Sequence, residues 1–199
     1  MSRTLAEQAR SLKTRRGSHR LPALLLLTDS LRLPDPRALL PRLPAGSAVI
    51  LRHADPRARA ALAAQLAPLC RRHRLLLLVA GDPALALRVG AAGVHWPERQ
   101  LPRGRWRRPR RTMLVTVAAH GRAAIEAARH AGVDAVLVSP VLPTQSHPGA
   151  PVLGIWRFAA LVARAPLPVY ALGGINRHTA RRLAGSGAVG IAAIGGLSE

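Results

Sequence analysis

Eight short apolar runs recur along this chain: Leu24–Leu27, Ala48–Leu51, Leu75–Val79, Gly93–His95, Met113–Val117, Ala135–Val138, Pro168–Ala171 and Val189–Ile194. They are continuous rather than alternating, which is how strands buried on both faces of a parallel sheet read. Ala- and Arg-rich segments with helical spacing lie between most of them, at 55–70, 83–90, 121–131, 155–164 and 176–185. The segments after the first and fourth runs are shorter and Pro-rich, so no regular helix is expected there. Eight strand–helix units predict an α/β fold closed into a small (β/α)8 TIM barrel. Glu199 follows the last run by only a few residues, so the eighth helix is expected to be missing. The exposed flank would then be covered by a partner, including a second copy, or filled by the N-terminal residues.

The expected organisation is a basic extension over residues 1–20 and one barrel domain over 21–199. A chain of 199 residues suits a single domain with a sizeable core. Aromatic residues make up only 3%, so Ala, Val, Leu and Ile must build that core. No apolar run reaches the length of a membrane span, and the N-terminus lacks a signal peptide's apolar stretch. A cytoplasmic location is the simplest expectation. The single cysteine, Cys70, excludes an intrachain disulfide framework and argues against a cysteine-based zinc site.

A formal charge of +21 would ordinarily suggest nucleic acid. Of 30 basic residues, however, only Lys13 is a lysine, and Ala, Gly, Pro and Arg are inflated together, as in the coding of a GC-rich genome. Only non-specific, salt-sensitive binding to nucleic acid is expected from this charge. The densest run, Arg103–Arg111, carries Trp106 among arginines. It reads either as a stacking patch for nucleic acid or as a solvated connection in which Pro and Gly prevent a helix.

The chemistry is concentrated at strand ends. Val138 opens the run Ser-Pro-Val-Leu-Pro-Thr-Gln-Ser-His, and Ala171 opens Leu-Gly-Gly-Ile. Gly173, Gly174, Gly195 and Gly196 follow the seventh and eighth strands, the usual phosphate position of such a barrel. Glycine permits close backbone approach, so its N–H groups can face an anion. The plain alternative is a pair of tight turns. Thr144 and Ser146 can add hydroxyls, and His147 can add charge near neutral pH. Arg52 ends the second strand and can clamp a phosphate through two N–H groups. His120, just past the fifth strand, is the acid–base candidate. His95 reads as a packing or orienting residue.

These pieces, in order from Leu24-Leu-Leu-Leu-Thr-Asp29 through Gly93-Val-His95, His120, Ser139-Pro-Val-Leu-Pro-Thr144 and Ala171-Leu-Gly-Gly-Ile175 to Gly190–Gly196, resemble the thiamine phosphate synthase/TenI family. The resemblance implies a small (β/α)8 barrel of thiamine biosynthesis that binds a thiazole phosphate. In family synthases, a pyrimidine diphosphate is joined to that phosphate with Mg2+ and loss of pyrophosphate. TenI-type members instead tautomerise a thiazole phosphate, and the resemblance implies the proton-moving role for His120.

Several family residues are replaced. The Gln-Leu-Arg-Glu/Asp-Lys pattern after strand two is Ile50-Leu51-Arg52-His53-Ala54, and the Asn-Asp after strand three aligns with Ala80-Gly81. The Gly-Gln-x-Asp after strand four is Pro97-Glu98-Arg99-Gln100. The serine two residues before the family histidine is Ala118, and the loop lysine is His147. Both expected Mg2+ carboxylates are displaced, which leaves Asp82 and Glu98 as the metal-ligand candidates. These departures favour a TenI-like tautomerase. The rivals are a synthase, a non-catalytic or regulatory phosphate-ligand-binding barrel, and a nucleic-acid binder using residues 1–20 and 103–111.

Overall fold

The computed structural model describes residues 3–12, 21–33, 35–144, 149 and 151–194. Eight parallel strands close into one barrel in sequence order: β1 (Leu24–Leu27), β2 (Ala48–Leu51), β3 (Leu76–Ala80), β4 (Gly93–Trp96), β5 (Leu114–Ala119), β6 (Ala135–Val138), β7 (Val169–Leu172) and β8 (Gly190–Ala193). β8 pairs with β1, placing Leu25 opposite Ala192. Every apolar run therefore becomes a strand, with ends shifted by a residue or two.

Alternation along each strand separates two cores. Leu25, Leu27, Ile50, Leu78, Leu137 and Tyr170 fill the barrel interior, with Ala48, Ala80, Ala135 and Ala192 giving them room. Outward-facing Leu26, Val49, Leu51, Val79, Val94 and Val136 join the helices in the larger core. Inside the barrel, Tyr170 is wholly buried and its hydroxyl donates to Pro22 O at 2.6 Å, tying β7 to the chain entering β1.

The helices are α1 (Leu5–Leu12), α2 (Pro56–Arg72), α3 (Pro83–Arg88), α4 (Arg122–Ala131) and α5 (Gly154–Arg164). Asp55 caps α2 by accepting from Arg57 N at 2.8 Å, and Asp82 caps α3 by accepting from Leu85 N at 2.8 Å. In both helices proline follows the cap, where its missing N–H costs nothing. After β1 and β4 the described residues form only 3-10 turns, Arg37–Arg42 and Glu98–Gln100, as the prolines lead one to expect.

The helix expected over 176–185 does not form; only a 3-10 turn, Ala180–Leu183, is present. Asn176 Oδ1 accepts from His178 N and Thr179 N, and Thr179 Oγ1 accepts from Asn176 N. Gln8 of α1 donates to Arg177 O at 2.8 Å, docking α1 on this turn. α1 packs on this turn and on the outer faces of β8 and β1, burying Leu5, Ala9 and Leu12. It thus occupies the station a helix after β8 would take. No helix among the described residues is long and apolar enough to cross a membrane.

Candidate active site

The C-terminal strand ends carry the candidate groups because parallel pairing brings all eight ends to one face. At β1 and β2, Thr28 Oγ1 accepts from Arg52 N at 2.8 Å and donates to Arg52 O at 3.0 Å. This pair of bonds fixes the backbone from which Arg52 projects. Arg52 is exposed, and its side chain has no hydrogen-bond or ion-pair partner among the described residues. Desolvation by the barrel rim lowers its pKa from the ordinary arginine value, while Asp29 acts in the opposite direction. It remains a cation. Asp29 pairs with Arg32 at 2.7 Å, which holds its carboxyl at about 2. A cleft of about 360 Å³ opens here, lined by Thr28, Asp29, Arg52 and His53, with Leu62 and Gln65 of α2 at its flank. Asp29 was not singled out from sequence as a site residue; its spacing to Arg32 was the available signal.

At β3 and β4 the two carboxylates considered for Mg2+ do not converge. Asp82 Oδ1 caps α3, and its Oδ2 meets Arg59 at 3.3 Å. Glu98 Oε2 accepts from His120 N at 2.8 Å and lies 2.6 Å from His120 Nδ1. No group of three or more His, Cys, Asp or Glu side chains suited to a metal exists among the described residues. As placed, these residues do not fit a Mg2+ ion, which takes several oxygen ligands in near-octahedral geometry.

His95 lies in the barrel interior, 2.9 Å from Thr116 Oγ1 on the paired strand. Burial, with Arg52's charge adding to it, pushes its pKa down to about 3, so the ring is neutral across physiological pH. Its buried contact agrees with an orienting and packing residue.

At β6 and β7 the chain over Pro140–Pro143 runs beside the glycine turn. Val141 N donates to Leu172 O at 2.9 Å and Leu142 N to Gly173 O at 3.1 Å. Gly173 and Gly174 have φ of +93° and +68°. A Cβ on Gly174 would meet Pro143 O and lie 2.8 Å from Leu142 Cβ, so backbone packing alone requires glycine there. The Gly173 and Gly174 N–H groups nevertheless have no acceptor among the described residues. Thr144 is half-buried at the end of the same loop. Ser146, His147, Gly195 and Gly196 lie outside the described residues.

The Arg103–Arg111 segment runs down the barrel's outside between β4 and β5. Arg108 clamps it, donating to Asp134, Met113 O and Gly132 O. Trp106 packs edge-on against Trp96, with ring centroids 5.5 Å apart. Trp106 is half-buried in this contact.

A family model described as thiamine monophosphate synthase matches residues 27–197. The chain belongs to the thiamine monophosphate synthase/TenI family. It is 33% identical over 191 residues to a thiamine-phosphate synthase of Alcanivorax borkumensis, covering 90% of this chain and 86% of that one. It is 34% identical over 158 residues to a thiamine-phosphate synthase of Thioalkalivibrio sulfidiphilus, covering 76% and 75%. Its fold matches thiamine phosphate pyrophosphorylase of Pyrococcus furiosus with TM-score 0.70 and 25% identity over 88% of this chain and 86% of that one. A deoxyribose phosphate aldolase from Aeropyrum pernix, at TM-score 0.60 and 16% identity, shares the barrel architecture alone.

Proposed function

We propose that this family member binds a thiazole phosphate at its strand-end face and tautomerises it, with His120 moving the proton. The observation that carries the reading is the commitment of the two carboxylates considered for Mg2+ to other partners. Asp82 serves α3 and Arg59, and Glu98 serves His120. A departing pyrophosphate needs charge neutralisation by metal and cations. A tautomerisation needs only a group that takes a proton from one carbon and returns it to another, work suited to an imidazole. The N–H groups of Gly173 and Gly174, without an acceptor among the described residues, support a phosphate role, with Gly195 and Gly196 as further donors. Thr144, Ser146 and His147 would complete the rim.

The synthase is the second reading, favoured by the names of the relatives and by Arg52, whose side chain has no ion-pair partner among the described residues. There Arg52, Thr144, Ser146 and His147 would hold the diphosphate. Asp82 and Glu98 would first have to leave Arg59, the α3 cap and His120 before they could hold Mg2+.

The test supplies the less stable thiazole phosphate tautomer to purified protein in EDTA and follows the aromatic product by NMR. Turnover without metal, reduced about 100-fold or more in His120→Ala, is expected. Pyrophosphate release from the two synthase substrates only with Mg2+ would favour the second reading. Ligand binding without either turnover would leave a binding or regulatory barrel. Binding only to nucleic acid, steeply lost with salt, would overturn both enzymatic readings.

A further inference from the structure

We infer that Glu98 is the positioning residue for His120, fixing the ring as its Nδ1–H tautomer so that Nε2 is the basic atom offered at the strand-end face. The inference rests on the tautomerase reading but is carried by its own geometry. Glu98 sits in the turn after β4 and His120 directly after β5. The register, with Trp96 opposite Val117, sets these two ends side by side. One carboxylate oxygen, Oε2, meets both the His120 backbone N–H at 2.8 Å and the ring Nδ1 at 2.6 Å.

Those two contacts do different things. An ionised carboxylate only accepts hydrogen bonds, so Nδ1 must carry the proton and Nε2 is left with a lone pair. The backbone contact anchors the same oxygen to the residue whose ring it orients, so ring and carboxylate cannot drift apart independently. In the reaction, Nε2 takes a proton from the first carbon: the C–H bond breaks, an N–H bond forms, and its electron pair enters the thiazole π system. The imidazolium so formed faces an anion already in place, which lowers its cost. The Nε2–H bond then breaks as its proton is delivered to the second carbon, restoring the neutral ring. No oxidant, reductant or metal enters the balance.

The pairing also explains why an acidic residue stands at Glu98 although no metal cluster forms around it among the described residues. The turn holds it rigidly: Gln100 N donates to Pro97 O at 2.8 Å and Leu101 N to Glu98 O at 3.3 Å.

The experiment compares full-length wild type, Glu98→Ala, Glu98→Gln and His120→Ala by 15N NMR of the histidine rings and by steady-state kinetics. The His120 signal, assigned by its loss in His120→Ala, is expected to show protonated Nδ1 in wild type and a shift toward the Nε2–H tautomer in Glu98→Ala. kcat should fall about tenfold to a hundredfold in Glu98→Ala with KM little changed, as for loss of a group that orients a catalytic imidazole. Glu98→Gln should recover part of the loss. A wild-type His120 ring protonated on Nε2, or a signal indifferent to Glu98→Ala, would overturn the assignment. So would paramagnetic Mn2+ broadening this ring in wild type but not in Glu98→Ala, because Glu98 would then be a metal ligand. Wild type that turns over no thiazole phosphate would sink the tautomerase reading, while the ring signal would still decide what Glu98 does.

Discussion

His95 Nδ1 lies 2.9 Å from Thr116 Oγ1, across one rung of the β4–β5 register inside the barrel. Both side chains are buried polar groups in a largely aliphatic interior that also holds Tyr170, and their contact satisfies one nitrogen of a ring that burial keeps neutral.

That neutrality makes stability pH-dependent. The unfolded chain protonates this ring below about 6.5, whereas the folded protein does so only near 3. Between those values the unfolded state binds more protons, so acid favours unfolding. The stabilising contribution is fully present above 6.5 and drains away as pH falls toward 3, at about 1.4 kcal/mol per unit of depression. Urea unfolding midpoints should therefore drop from pH 7 to pH 4.5, a window above the carboxylates. His95→Asn, which keeps a partner for Thr116 but does not titrate, should show a shallower drop. Equal slopes would mean that His95 is not held neutral.

Gly174→Ala should be among the most damaging small substitutions in the protein. It adds a methyl group against Leu142 and Pro143 and places a side chain at φ +68°. Left-handed backbone alone costs a non-glycine residue about 1–2 kcal/mol, and steric crowding adds to that. Gly185→Ala, at φ +76° but with nothing within 4 Å of its Cβ, isolates the backbone cost. Thermal unfolding should separate the two variants by several degrees. A titration with inorganic phosphate should weaken only for Gly174→Ala.

The barrel was legible because its strands are buried on both faces, so each is written as an unbroken apolar run that needs no distant partner to recognise. Residues 176–185 carry helical spacing and a first turn capped by Asn176 and Thr179, yet they continue only as the 3-10 turn Ala180–Leu183 before Gly185 turns at φ +76°. The contact of Gln8 to Arg177 that docks this turn on α1 spans 169 positions, so no local pattern announces it. Glu98 and His120 were each visible at strand ends, but their pairing was not. They are 22 positions apart and meet only through the β4–β5 register. The glycine pair was read for its possible N–H donors. The close approach of Pro140–Pro143 that also demands glycine comes from β6–β7 pairing, which composition does not encode.

Tyr170→Phe tests the bond that ties β7 to the entry of β1. The hydroxyl is buried and donates to Pro22 O at 2.6 Å. Its removal leaves a carbonyl without this partner while barely changing the packed volume. A loss of about 1–2 kcal/mol is expected in urea unfolding, with no change in phosphate affinity. An unchanged midpoint would mean that water or another donor replaces the hydroxyl.

The last prediction concerns α1. Eight residues are too few to hold a helix in water, so α1 must draw its order from the surface beneath it. Leu5, Ala9 and Leu12 supply that attachment on the faces of β8 and β1, and Gln8 pins it by donating to Arg177 O. We therefore expect α1 to be part of the barrel's stability rather than a detachable arm. Leu5→Ala should cost about 2–3 kcal/mol, and Gln8→Ala about 1 kcal/mol. Hydrogen exchange in β8 and β1 should quicken in both variants while β4 and β5 keep their protection. If Leu5→Ala melts at the wild-type temperature and exchange at β8 is unmoved, α1 contributes nothing to closing the barrel's flank.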